Sequence, residues 1–531
     1  MKLKLLFISM ILPFLLGSCT YLKYVHIQAE YSRIQHAEPG QLNLKHMIDR
    51  ETFFVFGQTL DALHRTSDLP KLIAAYSDKF KKNELVDRMY FEQTGTHYGL
   101  NLPEGEYTLL VFVDQNRNQF FEQSEVIGQK EIALNHKTSP EKVMGHVDIK
   151  LWPAQPVDWT IAIPTSKFDR GKTQHSLFYP AGAIRSLDDP LFNQNIAMLG
   201  MYDPASFMER TPTMFYALEE DLGYKIPVVF VHGIGGTARS FKPIVKRLDR
   251  NRYKPWFFYY PSGGDLDQLS ELFYRLFLSG KVIPLGPMPM IIVAHSMGGL
   301  VVREAINKYQ GQVDENKVKL FFTIASPMGG HDAAASGEKH GLMVLPAWRD
   351  LNPNNRFIKD LYRKPLPEFV NHQLIYVQQR ADNQDIELSS DGVVSLSSQL
   401  YPEVQLQSDE QIGFYDSHAG VLENKRMIEY ILQKMNRVKN AHPQAHLEIL
   451  QQGGFNVPLS DAYSPLSRYF IRSIGKYLVA LATGKIEPIS LSQEHFIQVV
   501  KGQKEATNKE EEGLLKFINE FPKEVEDSLS R

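Results

Sequence analysis

The stretch Ile226-Pro-Val-Val-Phe-Val-His-Gly-Ile-Gly-Gly236, followed after a gap by Met290-Ile-Ile-Val-Ala-His-Ser-Met-Gly-Gly-Leu-Val-Val302, decides how this chain is read. In each half a short apolar, β-branched run stops at a glycine-rich turn. Val228 to Val231 lead into His232-Gly233-Ile234-Gly235-Gly236. Ile291 to Ala294 lead into His295-Ser296-Met297-Gly298-Gly299, and a helical pattern over 300–309 follows at once. Apolar runs bounded in this way are buried parallel strands. A serine lifted out of a sheet at a strand-to-helix turn needs small residues two positions to either side, so that its hydroxyl projects with little backbone around it. Ala294 and Gly298 hold those positions. The N–H of Met297 is then placed to meet negative charge developing on an attacked carbonyl. The glycines of the earlier turn let a second N–H, that of Ile234, approach the same point.

The two turns together resemble the α/β-hydrolase lipases and esterases, whose nucleophile elbow reads G-x-S-x-G. VHGIGG with AHSMGG is most similar to the small bacterial lipases; here Ala294 replaces the first glycine, a difference of one methyl group. The resemblance covers roughly 226–432 and implies an α/β-hydrolase fold (a parallel, doubly wound sheet) acting on acyl esters. It also implies a triad in the chain order serine, acid, histidine, with the last two on loops after the last two strands. Ser389-Ser-Asp391-Gly-Val-Val-Ser395 is similar to the segment that carries the acid in such enzymes, and Tyr415-Asp-Ser-His418-Ala-Gly420 to the one that carries the base. Ser296 is thus the expected nucleophile, His418 its general base and Asp391 the acid that fixes the imidazole. Asp382 and Asp385 follow the same strand and are alternative acids. Gly392 and the apolar pair Val393-Val394 favour Asp391, because a buried carboxylate holds an imidazolium more strongly. His232 and His295 are expected to be structural, and His331, His340 and His372 are alternative bases less well placed along the chain. Asp416 lies too near His418 in sequence to face its ring.

Around this centre, strands are expected at 227–231, 255–260, 290–294, 318–324, 373–377 and 404–406, with helices at 241–248, 266–277 and 300–309. Nothing upstream of Ile226 reads clearly as a strand of this sheet, so a reduced, six-stranded form is expected. Residues 226–440 form the expected catalytic domain, with a long insertion at about 328–370 that is either a lid or a packed helical excursion. Before it, 46–163 shows short alternating runs (52–56, 72–76, 107–113, 125–127, 147–151) and reads as a smaller β-sandwich-like domain. Residues 164–225 read as a connector with a short helix near 189–198. Residues 441–531 are a helical extension whose end, from Lys501, is expected to be a solvated helix or disordered.

Within the sandwich, Asp114, Asn116, Asn118, Glu122 and Glu125 place oxygens at positions one, three, five, nine and twelve of a calcium-loop pattern. Position six is Gln119 rather than glycine and no helices flank the loop, so a strand-joining loop capped by its own Asx side chains is expected, with calcium as the alternative. No cofactor motif and no His/Cys cluster with metal spacing is present. A net charge of −3 argues against nucleic acid as a partner; the partners expected are an ester or lipid substrate and a membrane.

The membrane enters through the N-terminus. Lys2 and Lys4, then an apolar run over 5–16, form a secretory signal (1–18). Leu16-Gly17-Ser18 before Cys19, the single cysteine, resembles the lipobox of bacterial lipoproteins. That implies cleavage before Cys19, acylation of it, a tether over 19–45 and a place in the cell envelope. Thr20, rather than Asp, after the cysteine implies the outer membrane. The connector with KIPVVFVHGIGG, PWFFYYPSGG and AHSMGGLVVRE is similar to a group of bacterial lipoprotein hydrolases. The expected function is therefore a lipid-anchored serine hydrolase of carboxylic esters. An acyltransferase or thioesterase on the same triad, and a silent scaffold of the same fold, are the alternatives.

Overall fold

The computed structural model describes residues 20–34, 36–37, 48, 51–61, 69–79, 82–91, 97–140, 142–152, 157–165, 174–175, 182–211, 213–220, 223–280, 282–283, 288–311, 316–379 and 389–529. A helix over 20–34 (α1) comes first. Ten strands follow: β1 (Phe53–Leu60), β2 (Lys71–Ser77), β3 (Glu84–Tyr90), β4 (His97–Leu102), β5 (Gly105–Val113), β6 (Phe120–Glu122), β7 (Val126–Leu134), β8 (Val143–Met144), β9 (Ile149–Lys150) and β10 (Ala162–Pro164). β4, β1 and β8 make one sheet, with β9 also on β1, and β3-β2-β5-β7 make a second. Phe53, Val55 and Leu100 from the first share a core with Ile73, Ala75, Leu109 and Val111 from the second. Alternate residues of each strand face inward, which is what a two-layer sandwich requires. The strand expected at 147–151 shrinks to Ile149–Lys150, and that at 125–127 is the start of the longer β7.

The second sheet system runs β11 (Gln174–His175), β12 (Gly182–Ile184), β13 (Phe215–Ala217), β15 (Tyr253–Phe258), β14 (Ile226–Val231), β16 (Met290–His295), β17 (Val318–Ile324), β18 (Asn371–Gln378) and β19 (Glu410–Tyr415). From β15 to β19 every neighbouring pair is parallel. Helices α2 (Gln194–Tyr202) and α3 (Pro204–Arg210) precede this parallel run, and α4 (Lys242–Arg247), α5 (Leu266–Phe273) and α6 (Gly298–Tyr309) cover its faces. Val228, Phe230, Ile291 and Val293 pack toward α4, whereas Val229, Val231, Ile292 and Ala294 pack toward α5 and α6. Because successive residues face opposite sides and both sides are covered, β14 and β16 read as unbroken apolar runs. With Ser296 directly after the central β16, this is the α/β-hydrolase fold.

The expectation of six strands is wrong: the sheet holds nine among the described residues, because 164–225 supplies β11, β12 and β13. β12 and β13 are three residues each, too short to show any periodicity. The last strand is also corrected. Residues 404–406 lie in a short helix, Pro402–Gln407, while β19 follows at Glu410–Tyr415. Pro402 at the first helical position was the overlooked signal.

The insertion folds as α7 (Asp332–His340), α8 (Pro346–Leu351) and α9 (Arg356–Asp360), with α10 (Leu396–Gln399) and α11 (Pro402–Gln407) between β18 and β19. Leu345 and Ala347 are fully buried, and Met343, Leu345 and Trp348 pack with Tyr21 and Tyr24 of α1 and Tyr202 of α2. After α12 (Lys425–Met435), which lies on the α4 face, come α13 (Gln444–Leu450), α14 (Pro465–Ala482), α15 (Leu491–Val500), α16 (Lys509–Glu520) and α17 (Pro522–Leu529). The expected solvated or disordered tail is instead packed: Leu514, Phe517 and Val525 are buried against Phe455, Ile471 and Tyr477. Among the described residues, no helix is long and apolar enough to cross a membrane.

Candidate active site

Ser296 occupies the left-handed region, with φ +54°. A non-glycine residue there costs about 1 kcal/mol, and the turn is held by Ser296 N–H donating to Ile324 O (2.8 Å) and Gly299 N–H to Ser296 O (3.0 Å). Gly298 is needed because a Cβ there would lie 2.5 Å from the Val231 carbonyl oxygen. α6 therefore starts hard against the end of β14. Gly233 is needed for a reason closer to the chemistry: a Cβ would come within 2.5 Å of Ser296 Cβ and 2.9 Å of its Oγ. The glycine turn passes directly over the serine. The N–H groups of Met297 and Ile234 have no acceptor among the described residues, so both donors at this crossing are uncommitted.

His418 Nδ1 lies 2.6 Å from Asp391 Oδ2, and its Nε2 lies 2.9 Å from Ser296 Oγ. An ionised carboxylate only accepts, so Nδ1 carries the proton and Nε2 accepts from the serine hydroxyl. Asp391 is 1% exposed. Its Oδ1 accepts from the N–H groups of Val393 (2.9 Å) and Val394 (2.7 Å), which leaves Oδ2 for the imidazole. The Gly392-Val393-Val394 turn, with Gly392 at φ +94°, presents the Asp391 carboxylate to the His418 ring. Asp382 and Asp385, the alternative acids, lie outside the described residues. Asp416 accepts from Ser417 N–H and Asn424 Nδ2 and does not hold His418.

Two histidines expected to be structural, His232 and His295, hold this arrangement together with residues that the sequence did not single out. Gln399, fully buried, donates from Nε2 to Val377 O, Val394 O and Asp391 Oδ2 and accepts from Val377 N–H, tying the acid turn to β18. His295 Nε2 bonds the His418 carbonyl (2.8 Å), and His418 N–H donates to Asp391 O (2.9 Å). Burial first, and then the neighbouring His418, push the His295 pKa down to about 3, so its ring stays neutral and serves as a backbone clamp. His232 stacks on Tyr260 with ring centroids 4.3 Å apart. It bonds Gly233 O through Nδ1 and accepts from Tyr260 N–H through Nε2; burial lowers its pKa to about 4. Ser262 Oγ accepts from Gly235 N–H (2.8 Å) and Gln194 Nε2 donates to Gly235 O (3.1 Å), fixing the other end of the glycine turn. For Gln399, Ser262 and Gln194 the sequence offers no more than an isolated polar residue, and many such residues have no role.

The alternative bases sit elsewhere. His372 is buried at the start of β18 and bonds Thr323 Oγ1. His340 ends α7. His331 caps α7 through Nδ1 and bonds Val393 O through Nε2 (2.8 Å), so it steadies the acid turn from the insertion. Cys19 lies outside the described residues. Asp114, Asn116 and Asn118 lie in the loop that joins β5 to β6, and Glu125 in the single turn of helix just after β6; all are far along the chain from Ser296 and bond mainly to the backbone of 115–122.

The model of the family described as lecithin:cholesterol acyltransferase matches residues 281–431, the span that contains Ser296, Asp391 and His418. With the architecture described above, this marks a hydrolase fold like that of lipases, esterases and acyltransferases. No curated protein matches. Among solved structures, the lin2722 gene product of Listeria innocua is 17% identical, with a TM-score of 0.29, over 41% of this chain and 96% of its own. The mature Bacillus licheniformis lipase BlEst2 is 15% identical, with a TM-score of 0.31, over 42% of this chain and 98% of its own. The phospholipase PlaB from Legionella pneumophila is 15% identical, with a TM-score of 0.26, over 33% of this chain and 45% of its own.

Proposed function

We propose that this chain is a serine hydrolase that cleaves carboxylic esters of lipids through Ser296, His418 and Asp391. The observation that carries the reading is the unbroken relay from Asp391 Oδ2 through His418 (2.6 Å) to Ser296 Oγ (2.9 Å), beside two uncommitted N–H donors. Ser296 Oγ attacks the acyl carbon while His418 Nε2 takes its proton. The carbonyl π electrons move to oxygen, which accepts from the Met297 and Ile234 N–H groups. Asp391 stabilises the imidazolium without taking its proton. His418 then protonates the departing alkoxide, leaving an acyl-enzyme, and water repeats the sequence to release the acid and restore Ser296. Every proton is accounted for by these side chains.

A lipid acyl group is supported by the kind of family matched and by Cys19, whose acylation after cleavage would tether the enzyme to an envelope membrane. A second reading, transfer of the acyl group to an alcohol in place of water, is favoured by the acyltransferase description of that family. A fluorophosphonate probe should label the wild type at Ser296 and leave a folded Ser296→Ala protein unlabelled. Product analysis with an added alcohol acceptor then separates hydrolysis from transfer. Cys19→Ser should move the protein out of the membrane fraction, and a mature N-terminus without acyl groups would remove the anchor from the proposal while leaving the chemistry.

A further inference from the structure

We propose that the loop between β5 and β6 of the N-terminal sandwich binds one calcium ion. Two buried carboxylates without a counter-charge point to it. Asp114 is 3% exposed and Glu125 4% exposed, and neither has a cationic side chain bonded to it among the described residues. Asp114 Oδ2 reaches across the turn to accept from Gln119 N–H (3.2 Å), so its carboxylate lies inside the loop. The other oxygen of that carboxylate, Oδ1, is buried with no hydrogen-bond partner at all. Buried charged oxygens are paired with a cation or coordinate a metal. The basic residue within the loop, Arg117, is exposed.

The backbone suits the same reading. Arg117 and Gln119, at positions four and six, have φ of +59° and +69°, so Gln119 takes the left-handed turn that calcium loops ordinarily give to glycine. Asn116 Oδ1 accepts from Asn118 N–H and Asn118 Oδ1 from Phe120 N–H, both at 2.8 Å. Each amide oxygen keeps a second lone pair. Their Nδ2 groups donate to Glu122 Oε2 (3.2 and 3.1 Å), which draws a third carboxylate into the loop. Among the described residues no three His, Cys, Asp or Glu side chains converge as a cage. The sphere we infer is therefore mixed: Asp114 Oδ1, the Asn116 and Asn118 amide oxygens, the Phe120 carbonyl and water, with Glu122 and Glu125 supplying the remaining charge. A hard cation with flexible coordination fits that donor set, and Mg²⁺, which demands a tight octahedron, does not. The loop is also placed to matter. β6 pairs with β10, and Gln119 O accepts from Thr165 N–H. The ion would stiffen the strand by which the chain leaves the sandwich for the hydrolase domain.

Calcium titration of the EDTA-treated full-length chain by calorimetry should show one site with Kd on the order of 10⁻⁴–10⁻³ M, the range of weak extracellular modules, and a calcium-dependent rise in Tm that Mg²⁺ does not reproduce. Asp114→Asn should abolish binding. Asn118→Ala, at an exposed position that leaves the buried carboxylates in place, should weaken it about tenfold by removing one ligand. No saturable calcium heat in the wild type, or binding that both variants leave unchanged, overturns the proposal. The readout is independent of ester hydrolysis, so it stands apart from the reading of the triad.

Discussion

Two of the three strands that lead to the proposed triad could hardly differ more. β16, which ends at the nucleophile, is buried at all six of its residues, whereas β19, which leads to His418, buries Phe414 alone. The first is placed by the hydrophobic effect acting on both faces of a central strand. The second is an edge strand, placed by its backbone ladder to β18 over Gln373–Gln378 and by the polar network at its end. The serine is thus held by packing and close glycine contacts, and its partners by hydrogen bonds. Packing tolerates few substitutions but leaves a clear trace in sequence. A polar network leaves little trace, and its members fail separately.

The largest test of that contrast removes the nucleophile. Ser296→Ala should lower turnover on the order of 10⁶-fold with the fold unchanged, read by ester hydrolysis beside a circular-dichroism melt; near-wild-type rates would end the serine mechanism. On the other side, Asp391→Asn should cost roughly 10⁴-fold by favouring the wrong imidazole tautomer, with KM little changed. Asp382→Asn is the control, and a loss there in place of Asp391 would move the acid and undo the network described. Gly233→Ala tests whether close packing governs the nucleophile half. Its Cβ must displace Ser296 or the Ile234 N–H, and kcat should fall roughly 10²–10³-fold, as for loss of one oxyanion donor. A wild-type kcat would mean that the turn does not close over the serine.

The smallest effect is on stability. His232 and His295, both beside the glycine turns, and His372 under β18 have pKa values lowered by burial to about 4, about 3 and about 3. The unfolded chain protonates these rings near pH 6.5 while the folded protein does not, so below that pH the unfolded state binds more protons. Stability should be full above about pH 6.5 and fall as pH drops, by roughly 2 kcal/mol per histidine at pH 5. Urea midpoints at pH 7 and pH 5 measure this, and equal midpoints would show the imidazoles to be solvated.

The same contrast explains what could be read in advance. The elbow, the oxyanion turn and the central strands were legible because unbroken apolar runs with glycine stops have few other readings. β12, β13 and β19 were not, since three-residue strands show no period and a polar edge strand resembles a loop. At 404–406 the two apolar residues lie on different sides of a short helix, Val404 buried at 1% and Leu406 87% exposed, so their alternation does not mark a strand. In the tail, Leu514, Phe517 and Phe521 are apolar at helical spacing, but nothing in sequence names Phe455 and Ile471 as their partners.

By itself, the sequence determined the chemistry available to this protein: a serine on a sharp turn, two backbone donors, and a short list of acids and bases in a fixed order. Which acid meets which base is a matter of tertiary structure. Asp391 and His418 are brought together by β18, β19 and the buried amide of Gln399, through hydrogen bonds between residues 8 to 27 positions apart. Such bonds carry no local signature, because any polar side chain can make them and only the fold selects which ones do.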